Sequence, residues 1–153
     1  MLRLSMAAVL PRSRTGVWGV AVASGELSRQ NRTMRPLAIH HVAINVSDVD
    51  AGVRFYTEVL GGTVRPDRPD FGIAGAWIDL GGQQVHLVEA PVPRNLGQHF
   101  AIRFEDLDAV VEELRTKGVE VADPTGVGPN RQTFVNDPAG NPVELHQVGP
   151  STL

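Results

Sequence analysis

The sequence predicts an α+β fold in which two tandem βαβββ modules form a curved, cavity-enclosing mixed sheet with the helices on the outside. The first observation is an internal repeat: residues 41–56, HVAINVSDVDAGVRFY, return at 99–114 as HFAIRFEDLDAVVEEL, with seven of sixteen positions identical. The second is that the same offset of 58 residues superimposes 77–89 on 135–147. A unit of about fifty residues is too small to bury a good core alone, so the two copies should pack together.

Composition points to one globular domain. The 153 residues are 42% hydrophobic and 20% charged, which is ordinary for such a domain. We expect it at 36–150, with module one at about 37–90 and module two at about 97–148. The chain after residue 35 carries a net charge of -8, which argues against a nucleic-acid partner. No apolar run is long enough to cross a membrane, and the absence of cysteine excludes disulfides and sulfur-ligated metals.

An N-terminal extension at 1–35 differs from the rest in composition. It contains six arginines and a single acid, Glu26, with no periodicity that leads into the repeat. This composition is typical of an organellar transit peptide, which would place the protein in the mitochondrial matrix. Two alternatives stay open: Met34 is the true start of a cytoplasmic protein, or the apolar segment 17–23 belongs to a secretory signal. We expect the extension to be poorly ordered and the protein to be cytoplasmic or organellar.

The first strand of each module separates apolar from polar side chains. Residues 38–46 alternate, which places His41 and Asn45 on the face opposite the apolar residues. The second copy alternates in the same way and places His99 and Arg103 on the corresponding face. The paired histidines therefore leave the apolar side together.

The remaining elements follow in the same order in both modules. Asp48 and Asp106 are the predicted N-caps of the two helices. A short strand is predicted after each helix, at 63–65 and 119–122. The predicted Pro/Gly-rich loops are 66–75 and 123–130, and the predicted hairpins pair 76–80 with 83–89 and 131–136 with 142–148.

The offset also pairs polar residues of the last strands, since it sets His86 opposite Glu144. If the two sheets curve together about a pseudo-two-fold axis, His41, His86, His99 and Glu144 surround one centre. Three imidazoles and one carboxylate suit a divalent metal ion, and an octahedral ion would keep two positions for two substrate oxygens. Zn, Ni, Co, Mn and Fe(II) all accept these ligands. His146 shares the face of Glu144 and is a candidate supporting residue or a surface residue.

Two short signatures occur in the expected order. The first is HVAI at 41–44, followed by Asp48, FY at 55–56 and LG at 60–61; the second is DPAGN at 137–141 with EL at 144–145. Together they resemble the vicinal oxygen chelate superfamily, which includes glyoxalase I, methylmalonyl-CoA epimerase, extradiol dioxygenases, fosfomycin resistance enzymes and bleomycin resistance proteins. The resemblance covers about residues 37–148 and is specific for the superfamily, not for one member.

The resemblance implies roles for individual residues. His41 and His99 match the first-strand ligands, and Glu144 matches the last-strand carboxylate that is both ligand and base in glyoxalase I. His86 departs from the family pattern, since glyoxalase I has Glu and epimerases have Gln at its position. Asn45 stands where some glyoxalases keep an Arg that grips glutathione, and Arg103 could supply an anion contact instead.

These implications lead to three functional hypotheses. The first is a metal-dependent lyase or isomerase of the glyoxalase type, in which Glu144 moves a proton on a small α-oxo or α-hydroxy carbonyl compound, free or as a thiol adduct. The second is an Fe(II)-dependent extradiol dioxygenase, and the third is a non-catalytic protein that sequesters a small molecule. A homodimer is expected, with the metal site built within one chain or across two.

Overall fold

The computed structural model of the protein describes residues 36–150, so the predicted extension at 1–35 lies outside the described residues. Within them the element order is βαβββ, twice, and the predicted α+β fold class is confirmed. The strands and helices are β1 (His41–Val46), α1 (Val49–Arg54, continued by a π-helical turn Phe55–Val59), β2 (Thr63–Val64), β3 (Gly75–Leu80), β4 (Gln83–Glu89), β5 (Phe100–Arg103), α2 (Leu107–Thr116), β6 (Thr125–Val127), β7 (Asn130–Asn136) and β8 (Pro142–Gln147).

The strands form two four-stranded mixed sheets with the same topology. Module one has the order β1-β4-β3-β2 and module two has the order β5-β8-β7-β6. The first strand of each module pairs parallel with the last strand, and the other pairings are antiparallel. In the described part of the chain no strand pairing joins the two sheets, so the single curved sheet expected from the repeat is present as two sheets.

The helices begin where the sequence predicts. The Asp48 carboxylate accepts a hydrogen bond from the Ala51 amide at 2.9 Å, and Asp106 accepts one from Ala109 at 3.0 Å. Each bond satisfies one of the backbone donors left free in a first helical turn. The repeat therefore preserves the local chemistry that starts each helix.

The core lies between each helix and the apolar face of its sheet. Val85, Leu87, Val143 and Leu145 of the last strands are all buried, as the alternation predicts. Tyr56 is also fully buried, and its hydroxyl donates to Asp137 of module two at 3.3 Å. The opposite faces of both sheets are consequently free to carry polar residues. No helix among residues 36–150 has the length and apolar character needed to cross a membrane.

The predicted short strand of module two at 119–122 is wrong, because the strand forms later, at Thr125–Val127. The carbonyl groups of the predicted segment are taken by side chains instead. Arg115 donates to the Val121 oxygen at 3.1 Å, and Thr133 donates to the Ala122 oxygen at 2.9 Å. Side-chain partners thus replace the ladder that a strand would need.

The repeat offset also needs a correction along the hairpins. Trp77 pairs with His86 in module one, whereas Phe134 pairs with Glu144 in module two. The offset is therefore 58 between the last strands but 57 between the strands before them. The second hairpin therefore has one residue more than the first between equivalent strand positions, so the expected match of Asp79 with Asp137 is wrong.

Candidate metal centre

The four predicted ligands lie in two pairs related by the repeat. Ala43 of β1 is in register with His86 of β4, and Ala101 of β5 is in register with Glu144 of β8. Since side chains two apart share a face of a strand, His41 lies on the face of His86 and His99 lies on the face of Glu144.

The pair in module one is a stack of imidazole rings. The rings of His41 and His86 are 4.1 Å apart between centroids and 9° from parallel. Nδ1 of His41 contacts Nδ1 of His40 at 3.0 Å, which leaves its Nε2 for another partner. Nε2 of His86 contacts the Gln84 oxygen at 2.9 Å. Burial lowers the pKa of His86, and the His41 ring lowers it further, so His86 is neutral at pH 7, the form that binds metal ions.

The pair in module two is held by a network around the buried Glu144 carboxylate. Nε2 of His99 lies 2.9 Å from Oε2, and Nδ1 of His146 lies 2.7 Å from Oε1. Nδ1 of His99 lies 2.8 Å from the Gly97 carbonyl oxygen. His146 therefore supports Glu144 directly, through the oxygen that His99 does not touch.

Both ring nitrogens of His99 have a partner. The Gly97 carbonyl can only accept a hydrogen bond, so Nδ1 of His99 carries a proton. In a neutral imidazole Nε2 then has a lone pair, and it lies against Oε2 of Glu144, which is also an acceptor. Nε2 of His99 and Oε2 of Glu144 are close enough to bind one metal ion together, and a hydrogen bond between the two groups satisfies the same contact. The nitrogen and oxygen donors fit a divalent ion.

One chain does not bring the two pairs together. Among residues 36–150, no group of three or more His, Cys, Asp and Glu side chains is arranged to hold a metal ion. Each pair instead lies on a sheet face where His41, Ala43 and Ala101 are exposed. Each module thus carries half of the predicted ligand set, with His41 and His99 exposed, His86 half-buried and Glu144 buried, and the four-ligand site stays a prediction.

The two predicted substrate-binding residues differ in their surroundings. Asn45 donates from its side-chain nitrogen to the Pro91 carbonyl at 2.8 Å and borders a cleft of about 310 Å³ that His99 also lines. Arg103 is exposed, lies in register with His146, and makes no side-chain hydrogen bond or ion pair within residues 36–150. The cleft touches neither His86 nor Glu144, so it does not contain the ligand pairs.

An aromatic residue lies beside each ligand pair, and neither one was predicted from the sequence as part of the site. Trp77 stacks on His86, with centroids 4.6 Å apart and rings 15° from parallel. Phe134 meets His99 edge-to-face at 5.1 Å. The predicted hairpin with its two-residue Gly81-Gly82 turn already implied that Trp77 faces His86. Because the second hairpin has one more residue, the fixed offset of 58 did not identify Phe134 as the equivalent of Trp77.

Residues 38–145 match the family described as the Glyoxalase/Bleomycin resistance protein/Dioxygenase superfamily. The chain is 32% identical over 126 residues to lactoylglutathione lyase GLX1 of Arabidopsis thaliana, which covers 72% of this chain and 44% of that protein. It is 25% identical over 122 residues to the metallothiol transferase FosB of Staphylococcus epidermidis, in an alignment that covers 74% of this chain and 83% of that protein. The crystal structure of a glyoxalase family protein from Enterococcus faecalis superimposes with a TM-score of 0.62 at 31% identity. The superposition covers 71% of this chain and 96% of that chain. The chain spans under half the length of the plant lyase.

Proposed function

The chain belongs to the Glyoxalase/Bleomycin resistance protein/Dioxygenase superfamily, and from that premise we propose that it is a divalent-metal-dependent lyase or isomerase of the glyoxalase type. Its substrate is a small α-oxo or α-hydroxy carbonyl compound, free or as a thiol adduct. The observation that supports the proposal is the pairing of His99 with Glu144, whose Nε2 and Oε2 lie 2.9 Å apart and are two of the four predicted metal-binding groups.

The proposed site joins the two pairs across a homodimer. His41 and His86 of one chain would face His99 and Glu144 of a second chain, because each pair includes an exposed histidine and no group of three or more ligands forms among residues 36–150. This arrangement supplies three imidazole nitrogens and one carboxylate oxygen from two protein surfaces, as a divalent ion prefers. Zn, Ni, Co, Mn and Fe(II) are the candidate ions.

The protein's own residues have separate tasks in the proposed reaction. A bound divalent ion supplies Lewis-acid polarisation of the two substrate oxygens. Glu144 removes a proton from the hydroxyl-bearing carbon beside the carbonyl and returns it to the former carbonyl carbon, acting as general base and then general acid, while the hydroxyl proton passes to the former carbonyl oxygen, so no external oxidant is needed. His146 lies 2.7 Å from Oε1 of Glu144 and His99 lies 2.9 Å from Oε2, so the two contacts orient the carboxylate that exchanges the proton. Arg103 is available for an anionic group of the substrate.

The test is metal-dependent turnover. Protein stripped by a chelator and reloaded with each candidate ion in turn is assayed with hemithioacetals of 2-oxo aldehydes and with 2-substituted acyl thioesters. We expect conversion that the chelator abolishes and one or more ions restore. Elemental analysis of wild type against His86→Ala reports whether His86 is a ligand. The proposal is wrong if no ion restores conversion of any of these compounds.

A further inference from the structure

Three near-parallel rings extend from the predicted ligands of module one toward the loop between β2 and β3. His41 stacks on His86, and His86 stacks in turn on Trp77, at centroid distances of 4.1 Å and 4.6 Å. Trp77 is only half-buried. A continuous stack of rings therefore starts at the ligand pair and ends at Trp77.

The loop adds a second aromatic ring to this surface. Phe71 lies 6.1 Å from Trp77 at an interplanar angle of 48°, and 56% of its surface is exposed. The neighbouring Ile73 is 53% exposed. Large apolar side chains that stay open beside a polar ligand pair are what a binding site for an apolar group contains.

A cation completes the surface. The guanidinium carbon of Arg68 lies 5.1 Å from the centre of the Phe71 ring. Its nitrogens donate to the carbonyls of Pro69 and Ile73, which orient the group but do not neutralise it. Within the described part of the chain, no acidic side chain pairs with Arg68, whereas nearby Arg65 is bound by two aspartates.

We propose that Arg68, Phe71 and Trp77, here called the aromatic wall, bind an aromatic ring and an adjacent anionic group of the substrate. The substrate class is then an aryl-substituted α-oxo or α-hydroxy carbonyl compound, free or as a thiol adduct, that also carries an anionic group. This inference rests on the proposed function, since it places the wall beside the reacting oxygens. Stacking against an exposed aromatic ring favours an aryl ligand over an alkyl one, and the Arg68 guanidinium favours an anionic group.

A small molecule fits this surface better than a protein partner does. Two exposed side chains and one half-buried ring are a small fraction of the roughly 1,200–2,000 Å² that a stable protein interface buries. An unpaired guanidinium at the centre of such an interface would also lose its hydration without compensation. A substrate carboxylate supplies that compensation.

The experiment measures binding without turnover. Since the chain has two tryptophans, Trp18→Phe leaves Trp77 as the sole tryptophan, whose fluorescence reports ligand binding. Mandelate, lactate and mandelamide are titrated into this protein with and without metal. We expect mandelate to bind about tenfold more tightly than lactate, because an added stacked ring contributes roughly 1.4 kcal/mol. Mandelamide should bind more weakly than mandelate.

Matched variants assign the preference to the wall. Phe71→Leu keeps the apolar bulk without the ring and should abolish most of the preference for mandelate over lactate. Arg68→Gln should abolish the preference for mandelate over mandelamide. Val64→Ala is the control, because Val64 is 45% exposed on the same sheet and in register with Ile78, on the face opposite Trp77.

The outcomes separate this inference from the proposed function. Equal binding of mandelate and lactate, or an unchanged preference in Phe71→Leu, overturns the aromatic wall even if metal-dependent turnover occurs. A preference for mandelate that depends on Phe71 supports the wall even if no compound is converted. If Phe71→Leu changes the oligomeric state measured by light scattering but not the ligand preference, the surface is a protein interface and the inference is wrong.

Discussion

At the scale of single residues, the two oxygens of Glu144 have different partners. His99 touches Oε2 and His146 touches Oε1, so the carboxylate is held in one orientation. Glu144→Gln keeps the shape but removes the negative charge and the capacity to accept a proton. We expect kcat/KM for a converted substrate to fall by about 10²-fold or more, with lower metal content by elemental analysis. Glu112→Gln on the exposed face of α2 is the control, and a fully active Glu144→Gln would exclude Glu144 as the base.

Tyr56 gives a second prediction, based on its buried hydroxyl. Burial raises the pKa of Tyr56 above its usual value of about 10, and the Asp137 carboxylate raises it further. The stability from the neutral phenol is fully present below pH about 10 and is lost as pH rises further, because only the unfolded chain ionises there. Since Tyr56 is the sole tyrosine, phenolate absorbance should appear only with unfolding.

The control for Tyr56 is a variant that cannot ionise. Tyr56→Phe should lower the free energy of unfolding at pH 7 by about 1 kcal/mol, through loss of the hydrogen bond to Asp137. Its stability, measured by urea denaturation, should not show the additional alkaline loss. Phenolate absorbance in the folded protein near pH 10 would contradict this account.

At the scale of elements, the helix starts follow from the sequence alone because they depend on local chemistry. Asp48→Ala and Asp106→Ala should each lower the free energy of unfolding by about 1 kcal/mol in urea denaturation followed by circular dichroism. Asp50→Ala removes a first-turn carboxylate that is not the cap and should cost less. Equal losses for Asp50→Ala and Asp48→Ala would show that helix-dipole charge, not capping, is responsible.

The strand faces could be predicted in the same way, and the register of the hairpins only in part. Alternation placed His41 and His99 on the polar faces because a strand has a period of two. The position of Phe134 depends on one extra residue in the second hairpin, where the Asp137 carboxylate accepts the amides of Ala139 and Asn141. A fixed offset cannot represent such an insertion.

The position of strand β6, which begins later than predicted, could not be obtained from the sequence. Val119 and Val121 have the apolar pattern of a strand, and Val121 is indeed buried. The carbonyl partners that displace the ladder, Arg115 and Thr133, come from the preceding helix and a later strand. Such contacts have no local sequence signal.

At the scale of the whole molecule, the repeat produces two half-sites that are equivalent in position but different in chemistry. Module one supplies two imidazoles, and module two supplies an imidazole and a carboxylate that carries the charge. A closed two-fold dimer would bring unlike halves together twice, giving two identical sites per dimer. This arrangement predicts that two inactive variants, each damaged in a different module, recover activity when they form mixed dimers.

His41→Ala damages module one and Glu144→Gln damages module two, and each variant should be inactive alone. When the two are co-expressed with different tags and mix at random, half of the dimers are mixed, and each mixed dimer has one site built from undamaged halves. We therefore expect about a quarter of the wild-type kcat per site to return.

The matched mixture is His99→Ala with Glu144→Gln, in which both changes lie in module two, so every site keeps one damaged half and no activity should return. Purification through both tags isolates the mixed dimers, whose activity should be half that of wild type, with one metal ion per dimer by elemental analysis. A site built within one chain behaves differently, because neither mixture can then recover activity. Recovery in the first mixture alone would therefore establish that a single active site takes its ligands from two chains.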